Sequence, residues 1–270
     1  MKYTSHIFPG TVAACALIAV AGNCAAQQDD SAELAKKLAN PIANLISVPV
    51  KVDWDTGIGP ADADRTTYVV QPVIPFSLSQ DWSLISRTIV PFIDAQAPAA
   101  GGSSESGLGD VTQSLFFSPK APTSGGWIWG AGPVLLLPTA TNDALGSEKW
   151  GAGPTAVVLR QDSGWTYGML ANHIWSFGGS DSRDDISASF LQPFLSYTTK
   201  TYTTFSLNTE STYDWENEQW IVPINLSVSQ LVKFGQQPVS FALGARKYVE
   251  RPSGGPDWGV RFTVTFLFPK

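Results

Sequence analysis

The chain has 270 residues, a formal net charge of −6, and only 15% charged side chains against 43% hydrophobic ones. The acidic balance argues against a nucleic-acid partner, which needs a basic face. No run reaches the roughly 20 apolar residues of a spanning helix, while 10 Trp, 14 Phe, 24 Gly and 19 Pro point to strands and turns.

Residues 1–26 read as an export signal. Met1-Lys2 makes a short positive start, residues 11–22 form a small-residue apolar core, and Cys24-Ala25-Ala26 offers cleavage before Gln27. A lipoprotein signal fits less well: too little apolar sequence precedes Cys15, and Asn23 is a poor neighbour for Cys24. Both cysteines leave with the signal, so the mature chain offers no disulfide and no thiolate metal site. Lys2 leaves too, so 16 basic residues remain against 23 acidic ones.

Residues 27–47 are expected to form a periplasmic helix. Asp30 and Glu33 suit a capping box. Leu34, Leu38, Ile42, Leu45 and Ile46 recur at helical spacing with Lys36 and Lys37 opposite, and Pro41 should kink or split the helix. Two roles stay open for it: a linker lying on the membrane interface, or a plug over the periplasmic mouth of a barrel.

Residues 48–270 read as strands to the end. Residues 48–55 alternate cleanly, with Val48, Val50, Val52 and Trp54 against Pro49, Lys51, Asp53 and Asp55. Further strands are predicted over 66–76, 82–93, 108–117, 127–137, 150–159, 165–177, 186–197, 202–213, 220–232, 239–249 and 258–268. Strand 108–117 mixes its faces. In the last strand Val260, Phe262, Val264, Phe266 and Phe268 share one face, while Gly259, Arg261, Thr263, Thr265 and Leu267 share the other.

A soluble sheet turns such a greasy face to a core; a membrane barrel turns it to lipid. Three signals favour the barrel. Longer Gly/Asp/Ser/Pro-rich connections alternate with tight ones, most Trp and Tyr residues fall near strand ends, and the C-terminal strand is aromatic. The expected fold is all-β, a transmembrane up-and-down antiparallel barrel of about 12 strands with a short N-terminal amphipathic helix. An even count returns both termini to the periplasm.

Strand parity then assigns a lumen. The inward candidates are Lys51, Asp53, Asp55, Gln71, Arg87, Asp110, Asn172, Gln192, Asn208, Glu210, Asn225, Arg246 and Arg261. Arg or Lys facing hydrocarbon at the midplane costs about 2–4 kcal/mol, which forces Arg87 and Arg261 inward. The last strand must pair with the first, so Arg261 is expected to approach Asp53. These groups either select solutes at a constriction or simply fill a narrow barrel.

No catalytic residue is assigned. His173 is the only histidine left after cleavage. By parity it faces outward beside Trp165, Tyr167, Met169 and Trp175, which suits an interfacial residue better than a hydrolytic base. Metal binding lacks a His/Cys cluster; Asp181, Asp184 and Asp185, or Asp62 and Asp64, offer only weak calcium ligands. No cofactor is expected.

From Ala32 to Lys270 the chain resembles the bacterial outer-membrane family named for the meta-cleavage (MetA) pathway of phenol degradation. Its members usually carry the label transporter, and sometimes neuromedin U. The resemblance rests on ELAKKLANPIANLISVPV (33–50), GLGDV (107–111), KWGAGPT (149–155), NHIWSF (172–177), LQPFLSY (191–197), VKFGQQPVS (232–240), LGARKYVE (243–250) and GPDWGVRF (255–262). It implies an outer-membrane barrel for passive uptake or efflux of small, aromatic or otherwise hydrophobic solutes. It carries no catalytic or binding residue onto this chain. The expected partners are outer-membrane lipid, the barrel assembly machinery through the C-terminal strand, and a small solute, with the protein a monomer. The competing expectations are a non-conducting structural or receptor-like barrel and, less well supported, an outer-membrane lipid hydrolase.

Overall fold

The computed structural model describes residues 31–269. The export signal expected over 1–26 and the Asp30 half of the capping box lie outside the described residues. A helix, α1, covers residues 31–38. Fifteen β segments come after it: β1 (Ile46–Ile58), β2 (Ala63–Val70), β3 (Val73–Ser77), β4 (Trp82–Ala95) and β5 (Glu105–Leu108). Then come β6 (Val111–Pro119), β7 (Trp127–Leu137), β8 (Lys149–Asp162), β9 (Trp165–Gly179) and β10 (Ser187–Thr198). The last five are β11 (Thr203–Thr209), β12 (Ser211–Asp214), β13 (Gln219–Phe234), β14 (Gln237–Glu250) and β15 (Trp258–Phe268).

Three barrel strands are broken in two. β2 and β3 both pair with β1 and β4, β5 and β6 both pair with β4, and β11 and β12 both pair with β10 and β13. Counting each as one gives twelve antiparallel strands, closed where β15 pairs with β1 from Ile46↔Phe268 to Thr56↔Trp258. Two of the breaks have local causes. Pro72 lacks an amide to donate to the ladder. Gly109 bonds to the Pro91 carbonyl instead of continuing the β5 register. That second break explains the mixed faces of 108–117: side-chain parity flips across it, so Leu108 faces out and Thr112, Ser114 and Phe116 face in.

Turn chemistry matches the alternation of loops. Between β8 and β9 the two turn residues Ser163 (φ 51°) and Gly164 (φ 86°) both lie left-handed, the backbone of a tight hairpin turn. The tight turns fall at one end of the barrel and the longer loops at the other.

The distribution of polarity is inside out. Leu226 is 62% exposed and Leu243 56%, whereas Asp55 is 2% and Arg246 8% exposed. A water-soluble sandwich buries its leucines and exposes its charges. This wall is stable only against hydrocarbon, so the protein is an outer-membrane type of barrel. Aromatic pairs girdle both rims. Trp82–Trp129, Trp127–Tyr167 and Trp165–Tyr197 ring the short-turn end; Trp54–Trp258 and Tyr213–Trp220 lie at the long-loop end.

The N-terminal segment departs from expectation in its length. The helix predicted to reach Ile46 stops at residue 38, and only turns come between it and β1. Pro41 cannot continue the helical hydrogen bonds, and the Asn40 side chain accepts the Ile42 amide at 3.0 Å instead. Glu33 pairs with Lys37 one turn on, at 2.6 Å. Leu34, Ala35, Ala43 and Leu45 pack against Leu231 and Leu267 at the short-turn end, and Gln161 donates to the Lys36 carbonyl at 2.8 Å. Each buried leucine contributes on the order of 1.5–3 kcal/mol. Ile42 reaches deeper, among Ile85, Phe116 and Leu159. Gly130 makes room for it: a Cβ there would stand 3.3 Å from the Ile42 Cδ1.

Candidate functional site

The enclosed face of the barrel has two halves. One half, from β3 round to β10, carries an apolar cluster, with Arg87, Asn172 and Gln192 as polar side chains on the same strands. Val73, Ile85, Phe116, Val157, Leu159 and Leu170 form one buried cluster, joined by Phe190 and Phe194. The other half, from the β11–β12 break through β13, β14 and β15 to β1 and β2, carries an ionic network. Sequence alternation puts these side chains inward; the register of neighbouring strands puts them at one height.

Arg261 is the centre of that network. Its guanidinium grips Asp53 with Nε at 2.5 Å and Nη2 at 2.8 Å. Its other edge holds both Glu210 oxygens at 2.9 Å. Arg246 lies beside it and donates to Asn225 at 2.8 Å, to Asp53 and Glu210 at 3.3 Å, and to Asp55 at 3.5 Å. Asn225 donates in turn to Asn208 at 2.9 Å. Tyr248 accepts from Arg246 at 3.2 Å and donates to Asp55 at 3.1 Å. Arg65 closes the arc on Asp55 at 3.5 Å. Two-pronged Arg–carboxylate pairs of this kind are short and directional, so the network fixes side chains from six neighbouring barrel strands.

The inward candidates therefore divide into groups. Asp53, Asp55, Asn208, Glu210, Asn225, Arg246 and Arg261 belong to the network. Lys51 and Gln71 form a separate pair, Nζ to Oε1 at 2.9 Å. Arg87, Gln192 and Asn208 line a cavity with that pair. Asn172 stands on the inner face opposite Thr155 and Phe190. Asp110 is not with them. It sits at the long-loop end and accepts the Ala140 amide, the Ser147 amide and the Ser147 hydroxyl, tying down the loop between β7 and β8.

Two members of the network escape the sequence reading. Arg65 lies one residue before the predicted strand, although extending the alternation would find it. Tyr248 reads as a rim aromatic but is buried, 7% exposed; its parity with Arg246 is the available signal. The apolar cluster also lies outside the sequence reading, whose named inward candidates are all polar or charged.

The long-loop end carries its own ion pairs. Lys149 meets Asp185 at 3.0 Å, and Ser176 donates to the same carboxylate at 3.1 Å. The Lys149 and Ser176 hydrogen bonds hold the Asp185 carboxyl below the usual carboxylate range. Arg183 meets Glu148 at 2.7 Å. The hydrogen bond from Lys247, with help from Arg251, likewise lowers Asp257. Among the described residues no group of three or more His, Cys, Asp or Glu side chains is arranged to hold a metal ion.

His173 lies on the outer wall. Its Nδ1 is 2.7 Å from the Ser189 hydroxyl, which also accepts the Trp215 indole N–H at 2.9 Å. Its ring packs on Trp175 with centroids 4.0 Å apart. Its Nε2 is buried with no hydrogen-bond partner among the described residues. A serine–histidine pair lacking a third group to orient the imidazole is an incomplete catalytic set.

Among solved structures the fold is similar to an outer membrane channel from Pseudomonas putida F1, at 15% identity, TM-score 0.64, with 83% of this chain and 96% of that chain covered. It is also similar to outer membrane phospholipase A from Escherichia coli, at 10% identity and TM-score 0.50, covering 83% and 90%. At such identities the likeness is one of fold. No curated protein matches the chain. The model of one family, described as "Putative MetA-pathway of phenol degradation", matches residues 59–270, and the chain belongs to that family.

Proposed function

We propose that the protein is a passive channel that carries small solutes with an apolar or aromatic body across the outer membrane. The observation that supports this reading is the two-faced interior, with an apolar cluster on one side and an ionic network on the other. Such a passage suits a molecule with a greasy body and a polar group better than it suits water or inorganic ions alone. The family's link to phenol degradation favours an aromatic body, and a barrel of the same architecture is an outer membrane channel. The N-terminal segment is the gate: it closes the short-turn mouth through Leu34 and Leu45 and sends Ile42 into the apolar half. We infer that the cleaved chain begins near Gln27, that residues 27–47 act as this plug from the periplasmic side, and that the assembly machinery engages β15. The barrel closes within one chain, which supports a monomer.

No catalytic role is proposed. The outward His173 is held between Ser189 and Trp175, with no carboxylate oriented on its ring among the described residues. The test is solute flux. The mature chain and a form lacking the segment before β1 are reconstituted for liposome swelling and bilayer conductance. The open form should pass small aromatic solutes faster than the intact one. An absence of flux from both forms would overturn the channel in favour of an occluded structural barrel.

A further inference from the structure

The ionic network leaves two cations over. With its neighbours Lys51 and Arg87 counted in, Lys51, Arg65, Arg87, Arg246 and Arg261 stand against Asp53, Asp55 and Glu210, five positive charges against three negative. Arg65, Arg246 and Arg261 share all three carboxylates. Among the described residues Lys51 makes no ion pair; its hydrogen bond goes to the neutral amide of Gln71, and Asp53 and Glu210, already held by the arginines, act on it only electrostatically. Arg87 makes no hydrogen bond or ion pair among the described residues. The carboxylate that acts on it electrostatically is Glu210, which Arg246 and Arg261 already hold. In a chain with net charge −6 this is a local reversal of sign.

Both spare cations line one cavity. It measures about 280 Å³ and lies between the N-terminal segment and the Lys51–Arg87 layer. That is just below the ~300–1,000 Å³ of ordinary ligand pockets, so it suits a small ligand. Its remaining wall includes Leu38, Leu170 and Phe194. A cation out of bulk water without a counter-ion is costly, and an entering anion removes that cost. The planar fork of Arg87 matches a carboxylate, and Lys51 adds a second point of charge.

We propose that this cavity binds a small organic monoanion of the arylcarboxylate class. Its carboxylate lies between Lys51 and Arg87, and its apolar body lies against Leu38, Leu170 and Phe194. A neutral phenol-like molecule fills the same apolar wall but leaves both cations uncompensated, so charge is the selecting feature. The assignment deepens the channel reading and rests on it for the ligand's route into the barrel.

Calorimetric titration of the full mature chain, folded in detergent, tests this with benzoate, benzamide and benzylammonium as probes of similar size. Benzoate should bind saturably, benzamide at least about tenfold more weakly, and benzylammonium not at all. Arg87→Gln and Lys51→Gln should each weaken benzoate by about tenfold or more while leaving benzamide unchanged. If Arg87→Gln does not fold, Lys51→Gln carries the same comparison. Equal affinity for benzoate and benzamide, or benzoate binding unchanged in the folded variants, would overturn the site. Benzoate binding without solute flux would leave the site standing and sink the channel reading; flux without a benzoate preference would do the reverse.

Discussion

Arg261 and Asp53 are 208 positions apart in sequence, yet they face each other across the strand pair that closes the barrel, joined at 2.5 and 2.8 Å. The seam is thus both a ladder of backbone hydrogen bonds and a charged lock. Arg261 carries Glu210 on its other edge, so removing it leaves both carboxylates to the longer 3.3 Å contacts of Arg246 alone. Breaking one partner of a buried pair costs about 3–5 kcal/mol. Arg261→Met should lower unfolding stability by that order, and Asp53→Asn by less, because Arg261 keeps Glu210. The temperature at which heating abolishes the fast-migrating folded band on a gel reads both effects. A double-mutant cycle with near-zero coupling would remove the lock.

The outer wall separates this barrel from a soluble β protein. Leu226 is 62% exposed and stands midway along β13. In water, arginine there would be nearly neutral. In a bilayer, Leu226→Arg should cost about 2–4 kcal/mol. Folding yield into lipid vesicles measures it, and an unchanged yield would contradict a lipid-facing β13.

The N-terminal segment packs through apolar contacts, so one charge should loosen it. Ile42 is 5% exposed among Ile85, Phe116 and Leu159. Ile42→Asp places an unpaired carboxylate in that cluster. Conductance should rise while the folded gel mobility stays as in the parent. Unchanged conductance with an intact barrel would show that residues 31–45 do not gate it.

Acid should free the long-loop end before it unfolds the barrel. The Asp185 carboxyl is lowered by Lys149 and Ser176. A depressed carboxylate contributes stability that is present above its unfolded value, about 3.9, and lost as pH falls through the lower folded value. The anchoring of residues 180–186 should therefore be flat from pH 8 to about 5 and fail only below about 4. Protease access to that loop follows it. Asp185→Asn should show the acid behaviour already at neutral pH.

Much of this fold is written in period-2 alternation, because a membrane wall demands an apolar residue at every second position. Each of the twelve barrel strands has a predicted counterpart, and alternation is clean in most of them but not in 108–117. Trp127–Leu137 and Trp258–Phe268 match their predicted bounds, and the other strands differ at their ends. The inward placement of Arg87 and Arg261 is legible for the same reason. The parity flip at Gly109 shows only as a blurred pattern, since a break in register appears in sequence as noise.

The wall can therefore be read from the order of residues alone: which side chains face hydrocarbon, how many strands cross, and which charges must turn inward. The approach of Arg261 to Asp53 also follows from pairing the last strand with the first, but what the other inward charges do is decided only when the strands close into a barrel. Arg261 gathers Asp53 and Glu210, while Arg87 makes no ion pair among the described residues, because strand register and closure set which side chains share a height. Closure likewise gathers the apolar cluster on the opposite side, which Ile42 enters. Alternation is a local property of each strand; the pairing of side chains across a closed barrel depends on shear and on contacts far apart in the chain.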